Sequence, residues 1–125
     1  VPGGSAANVI KGIAGISHLQ SWKCAFVGKV GDDAAGAEYA RRLLDAGVTP
    51  FLAQSAHGTP TAEAVSVVSS DGQRTMRPFL GAATEYTVAD LPMAELRRCS
   101  LLHMEGYAMF RPEVARRAAE TAKAA

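Results

Sequence analysis

The chain has 125 residues, with 13 Lys and Arg against 12 Asp and Glu and a net charge of +1. That balance argues against a nucleic-acid or membrane-surface binder, since both draw on surplus basic charge. The length allows one domain; of the hydrophobic residues 24 are alanine and only 26 are Leu, Ile, Val or Phe, a thin core that suggests a piece of something larger.

Ser5 is expected to cap a first helix, in which Ala6, Val9, Ile10, Ile13 and Ala14 recur at helical spacing and leave Asn8, Lys11 and Gly15 on the opposite face. Lys23 to Val30 reads as a short buried strand around Ala25, Phe26 and Val27, ending in Gly28-Lys29-Val30-Gly31-Asp32-Asp33. The aspartate pair can cap a second helix with Tyr39, Leu43 and Ala46 as its stripe, and Gly47 supplies the stop. Phe51 begins another extended piece. Glu63 to Ser69 and Arg74 to Leu80 flank Asp71-Gly72, the dipeptide favoured by two-residue hairpin turns. Ser100 to Met104 reads as a further apolar strand, followed by a loop at Glu105-Gly106-Tyr107. Pro112 opens a last helix, Glu113 to about Lys123, with Val114, Ala118 and Ala122 as a weak stripe. This succession predicts an α/β sheet with one inserted hairpin.

No run of 18 apolar residues occurs, and the first residues lack the charged and apolar blocks of a signal peptide. Cys24 and Cys99 lie far apart in apolar stretches with no CxxC spacing, so they read as reduced core thiols in a reducing compartment. An intracellular site is therefore expected, the cytoplasm rather than a plastid.

Several residues carry candidate chemistry. Gly3-Gly4 before a helix lets backbone approach a ligand and leaves amides free to donate to hydroxyl or phosphate oxygens, although a plain tight turn has the same signature. Asn8, on the polar face of the first turn, can donate to and accept from a polyol, or simply face solvent. Walker A fails because Lys23 stands where its first glycine should be and Val30 follows Gly28-Lys29, and no G-x-G-x-x-G occurs. Asp32 and Asp33 are more simply helix caps than paired catalytic carboxylates. His18, His57 and His103 have no metal-ligand spacing, and no Ser or Cys stands in a nucleophile elbow. Arg74 and Arg77 could grip an anionic group or line an exposed strand face. Glu105, just past an apolar strand, stands where open α/β sheets bind ligands, or is a surface carboxylate.

Taken together, these segments resemble the PfkB, or ribokinase-like, family of carbohydrate and nucleoside kinases. Gly3-Gly4-Ser5-Ala6-Ala7-Asn8 is similar to the family's first signature, and Gly28 through Gly36 to its G-x-x-G-x-D-x-x-G turn. Ala46-Gly47-Val48, Thr61 at the head of a strand, Asp71-Gly72, Arg74 to Pro78 and His103 to Tyr107 follow in family order. The wording of Arg74 to Pro78 is similar to plant and algal ribokinase-like or adenosine-kinase-like members. The resemblance implies an incomplete Rossmann-like ribokinase-type sheet with helices on both faces and part of a small β lid. It implies ATP-dependent phosphorylation, with Mg2+, of a hydroxyl on a sugar or nucleoside. Gly3, Gly4 and Asn8 would bind the substrate's hydroxyls, Glu105 would match a carboxylate that some ribokinases use on the sugar, and a homodimer through the lid is among the assemblies implied for the complete protein.

The departures bear on activity. Family members place a strand and a lid hairpin with a substrate-binding Asp before the glycine pair, and a Gly-Ala-Gly-Asp signature with the general base downstream; neither is found among these 125 residues. Residues 1–125 are thus expected to form a partial kinase domain that is inactive alone and loosely folded or oligomeric. A noncatalytic binding or assembly module is the alternative. No catalytic, cofactor-binding or metal-binding residue is assigned in this chain.

Overall fold

The computed structural model describes residues 3–17 and 21–124; His18 lies outside them. Helix α1 (Ser5–Ile16), strand β1 (Cys24–Val30), helix α2 (Ala34–Asp45) and strand β2 (Val48–Gln54) form the first unit. β1 and β2 pair in parallel with Cys24 opposite Val48 and Val30 opposite Gln54. Side-chain alternation along β1 sends Cys24 and Phe26 to one face. There they pack with Ala7, Ile10, Ile13 and Ala14 of α1, Tyr39 and Leu43 of α2, and Val48 and Leu52 of β2. The Phe26 and Tyr39 rings meet edge to face at 5.9 Å. Lys29, of opposite parity, instead reaches the 3-10 helix Gly81–Glu85. Helical segments therefore cover both faces of this short mixed α/β sheet.

A hairpin of β3 (Glu63–Val68) and β4 (Arg74–Phe79) stands apart, antiparallel with Glu63 opposite Phe79. All residues of both strands are exposed. A 3-10 turn at Val88–Asp90, the four-residue α3 (Met93–Leu96) and α4 (Pro112–Lys123) follow. They bury Leu91, Leu96, Val114 and Ala118 in a second cluster joined by Tyr86, Met93 and Leu102. Among the described residues no helix is long and apolar enough to cross a membrane.

Five expectations change. Ser5 is the first helical residue and not the cap: Gly4 holds the cap position at φ 97°, a left-handed conformation that glycine takes without a Cβ penalty. The apolar stripe of α1 centres on Ala7, 1% exposed, whereas Val9 faces outward. β2 starts at Val48, directly after the left-handed Gly47, rather than at Phe51. Ser69 N donates to Gln73 O and Gly72 N to Ser69 O, so the hairpin closes through a three-residue loop with Gly72 left-handed, not a two-residue turn. Ser100 to Met104 joins no ladder, because no strand among the described residues lies beside it.

Two glycines separate backbone propensity from packing. An added Cβ at Gly12 in α1 meets nothing within 4 Å, while one at Gly36 in α2 would lie 2.6 Å from Gly31 O. Gly12→Ala should stabilise the chain by roughly 0.5–1 kcal/mol through helix propensity. Gly36→Ala should lose that gain to overpacking and destabilise by about 1–3 kcal/mol. Denaturant titration of both variants checks the opposite signs.

Candidate functional site

The carboxyl-terminal ends of β1 and β2 and the start of α2 converge where open α/β sheets take their ligands. Asp33 caps α2 by accepting from Gly36 N at 2.7 Å. The same carboxylate accepts from Thr61 N at 2.7 Å and from Thr61 Oγ1 at 2.6 Å. Thr61 is buried, and its hydroxyl oxygen also accepts from Gly31 N at 2.9 Å. A Cβ at Gly31 would lie 2.7 Å from both Thr59 O and Thr61 N, which is why glycine stands there. Asp32 is exposed and accepts from Gln54 Nε2 at 3.5 Å. An open groove of about 320 Å³ runs beside these residues, lined by Asp32, Asp33, Ala37, Ala40, Leu52 and Gln54 among others.

A second carboxylate closes the neighbouring segment. Glu85 accepts from Ser55 Oγ at 2.6 Å and from the Thr59 hydroxyl. Lys29 Nζ donates to Glu85 O at 3.3 Å and to both Asp90 oxygens at 3.1 Å, with both side chains of the ion pair mostly buried. Asp90 in turn accepts from Thr87 N and Oγ1 in a capping box. Lys29 is therefore committed to a structural pair. The bonds of Glu85 to Ser55 and Thr59 and of Asp90 to Lys29 span 26 to 61 positions, so no local pattern announces them; the local sign at Asp90 is the Thr87-x-x-Asp90 capping box.

Gly3 and Gly4 lead into α1, where Tyr39 Oη from α2 donates to Gly3 O at 3.2 Å. Asn8 is exposed on the first turn, its backbone N bonded to Gly4 O at 3.0 Å. Glu105 precedes a 3-10 turn at Gly106–Phe110, with His103 Nε2 at 3.4 Å. No hydrogen bond among the described residues joins Glu105 to Gly3, Gly4 or Asn8. Arg74 and Arg77 are three apart in one strand and so point to opposite faces of the hairpin; they cannot close on one anion as a pair. Among the described residues no group of three His, Cys, Asp or Glu could hold a metal ion, and Lys29 is already paired.

The sequence matches the family described as pfkB family carbohydrate kinase over residues 1–125. Among solved structures, the adenosine kinase from Sinorhizobium meliloti superposes with a TM-score of 0.81 at 29% identity, covering 98% of this chain and 37% of that one. Anopheles gambiae adenosine kinase, in complex with P1,P4-di(adenosine-5) tetraphosphate, gives 0.83 at 27% identity over 98% of this chain and 39% of its own. The fructokinase from Xylella fastidiosa with bound ATP shares the fold, with a TM-score of 0.79 at 23% identity, 98% of this chain and 39% of its own. The chain thus spans well under half the length of these kinases. No curated protein sequence matches it.

Both hub carboxyls are held below their ordinary range by the bonds they accept. The Thr61 hydroxyl is the main cause for Asp33, followed by the Thr61 and Gly36 amides; for Glu85 the Ser55 and Thr59 hydroxyls lead. A carboxyl whose folded pKa is depressed adds stability that is complete above its unfolded value, about 4, and is lost as pH falls toward the folded value. Melting temperature should thus hold level down to about pH 5 and then fall. In Asp33→Asn/Glu85→Gln the melting temperature at neutral pH should drop and the acid limb become shallower. An unchanged acid slope would mean that other carboxyls set it.

Proposed function

The chain belongs to the pfkB family of carbohydrate kinases, and we propose that it is the partial kinase domain, residues 1–125, of an ATP-dependent enzyme that phosphorylates a hydroxyl of a sugar or nucleoside. The proposal rests on the family match along the entire chain. In this assignment Gly3 and Gly4 bring backbone close to the substrate, and the Asn8 amide, exposed one turn into α1, holds a hydroxyl as both donor and acceptor. Glu105 supplies a carboxylate on the sugar side. ATP and Mg2+ would be held by residues outside this chain, and a homodimer through the hairpin is proposed for the complete protein.

The part these residues play is positional. Phosphoryl transfer is accelerated by alignment of the acceptor oxygen and by electrostatic stabilisation of the transferring group. Gly4 at φ 97° turns the chain into α1, whose first amides have no side-chain cap. The Tyr39 bond to Gly3 O fixes that turn against α2. Proton removal from the acceptor hydroxyl and stabilisation of the phosphoryl group are assigned to the downstream signature of the whole protein. The 125-residue chain should accordingly show no ATP-dependent phosphorylation of ribose, fructose, adenosine or inosine. Turnover by the purified chain, with contaminating kinase excluded, would overturn this.

Asn8→Ala in the complete enzyme should lower kcat/KM for the hydroxyl substrate by roughly ten-fold, the equivalent of ~1.4 kcal/mol. KM for ATP and the melting temperature should barely move. Steady-state kinetics and thermal melts of both forms decide the matter: unchanged substrate constants with a lowered melting temperature would leave Asn8 as a helix-start residue only.

A further inference from the structure

Among the described residues no other element packs extensively on β3 or β4, and the root of the hairpin is held at several points. Its incoming leg passes through Ser55, Thr59, Pro60 and Thr61, and its outgoing leg through Gly81, Ala82 and Glu85. Ala82 N donates to Pro60 O at 2.9 Å, and Glu85 accepts from Ser55 and Thr59, so the legs are bonded to each other. Gly81, left-handed at φ 48°, packs against Pro60 O so closely that no Cβ would fit. The closed root is fastened to the body on one side by Lys29 and on the other by Thr61 bonded to Asp33 and Gly31. Beyond it every residue of both strands is exposed.

A rigid arm on a closed root takes its direction from whatever fastens that root. We propose that Asp33 is the positioning residue of the hairpin: acting through Thr61, it fixes the arm relative to the head of α2, and through α2 and Tyr39 relative to Gly3. Capping α2 needs one oxygen of Asp33. Holding Thr61 uses both, Oδ2 from the Thr61 amide and Oδ1 from its hydroxyl. The two duties can be separated, because serine caps a helix well but its shorter side chain does not reach Thr61. This assignment depends on no assumption about the reaction the protein performs.

The test is a distance measurement by electron spin resonance in the complete protein, with labels at Ser70→Cys in the hairpin loop and Leu44→Cys on the exposed side of α2, other reactive cysteines being replaced. The buried Cys24 is retained. Four forms are compared: native, Asp33→Ser, Thr61→Val and Thr61→Ser. The tip-to-helix distribution should be narrow in native and Thr61→Ser, which keeps the hydroxyl, and broadened in Thr61→Val and Asp33→Ser. Amide exchange within β3 and β4 should stay at the native rate in all four, while the Gly31 amide should exchange roughly ten-fold faster in Thr61→Val, having lost its acceptor. If Asp33→Ser fails to fold, the two Thr61 variants still decide. A Thr61→Val distribution that overlays the native one overturns the proposal. So does equal broadening in Thr61→Ser, which would assign the effect to packing, or faster exchange throughout the hairpin, which would mean that the arm unfolds rather than being released at its root.

Discussion

One carboxylate, that of Asp33, joins three parts of this chain that are distant in sequence. It caps α2, it takes both the amide and the hydroxyl of Thr61, and through that hydroxyl it is linked to Gly31 at the end of β1. A carboxylate suits the position on electrostatic grounds as well, since the N-terminus of a helix favours negative charge. The spacing Gly31-x-Asp33-x-x-Gly36 follows from the same contacts. A side chain at either glycine would strike the backbone that the carboxylate draws together, so the glycines are consequences of the carboxylate's reach. Removing one partner of such a cluster strands the others, and a buried donor without an acceptor costs about 1–3 kcal/mol.

Elsewhere the molecule is sparsely buried. Its two clusters hold four well-buried residues each, and Leu43 and Val48 are the large side chains almost wholly removed from solvent among the described residues. Val65, Val67, Val68, Phe79 and Leu80 in or beside the hairpin, and Tyr107, Met109 and Phe110 before α4, stand more than half exposed. Among the described residues no further strand pairs with β1 or β2, and unpaired strand edges invite association. With so little apolar burial, polar clusters such as Asp33–Thr61 and Lys29–Asp90 carry an unusual share of the tertiary organisation.

What the sequence disclosed was local. The strand at Cys24–Val30, the helix capped by Asp33, the glycine stop before β2 and the helix opened by Pro112 each have their signal within a few residues, and each is present. Misjudged features depend on partners far along the chain. Ser100 to Met104 has the composition of a strand, but a strand needs a neighbour, and among the described residues none pairs with it. Val9 has the right spacing for a core face, yet the position of β1 turns Ala7 inward instead. The grip of Glu85 on Ser55 and Thr59, and of Asp90 on Lys29, exists only once β1 and the segment after β2 are folded against them. Asp33 was recognisable as a cap; its grip on Thr61, 28 positions away, was not.

The commitments of these charged groups narrow where an electronegative substrate atom could be received. Of the two long helices that begin beside the sheet, α2 has its N-terminus filled by Asp33, whose charge already answers both the free amides and the helix dipole. The nearby cation Lys29 is neutralised by Asp90, and separating a mostly buried pair would leave an uncompensated charge. At the start of α1 there is no side-chain cap and no acidic residue in the first turn. The chain turns through a left-handed glycine, and the hydrogen-bonded neighbour, Tyr39, approaches Gly3 O rather than an amide. A neutral hydroxyl oxygen suits such a site better than a phosphate does, because the first turn of α1 carries amides and an asparagine but no Lys or Arg to answer full negative charge. The charge balance of these two helix ends is compatible with the division of labour proposed above, a hydroxyl received on this chain and nucleotide phosphates elsewhere.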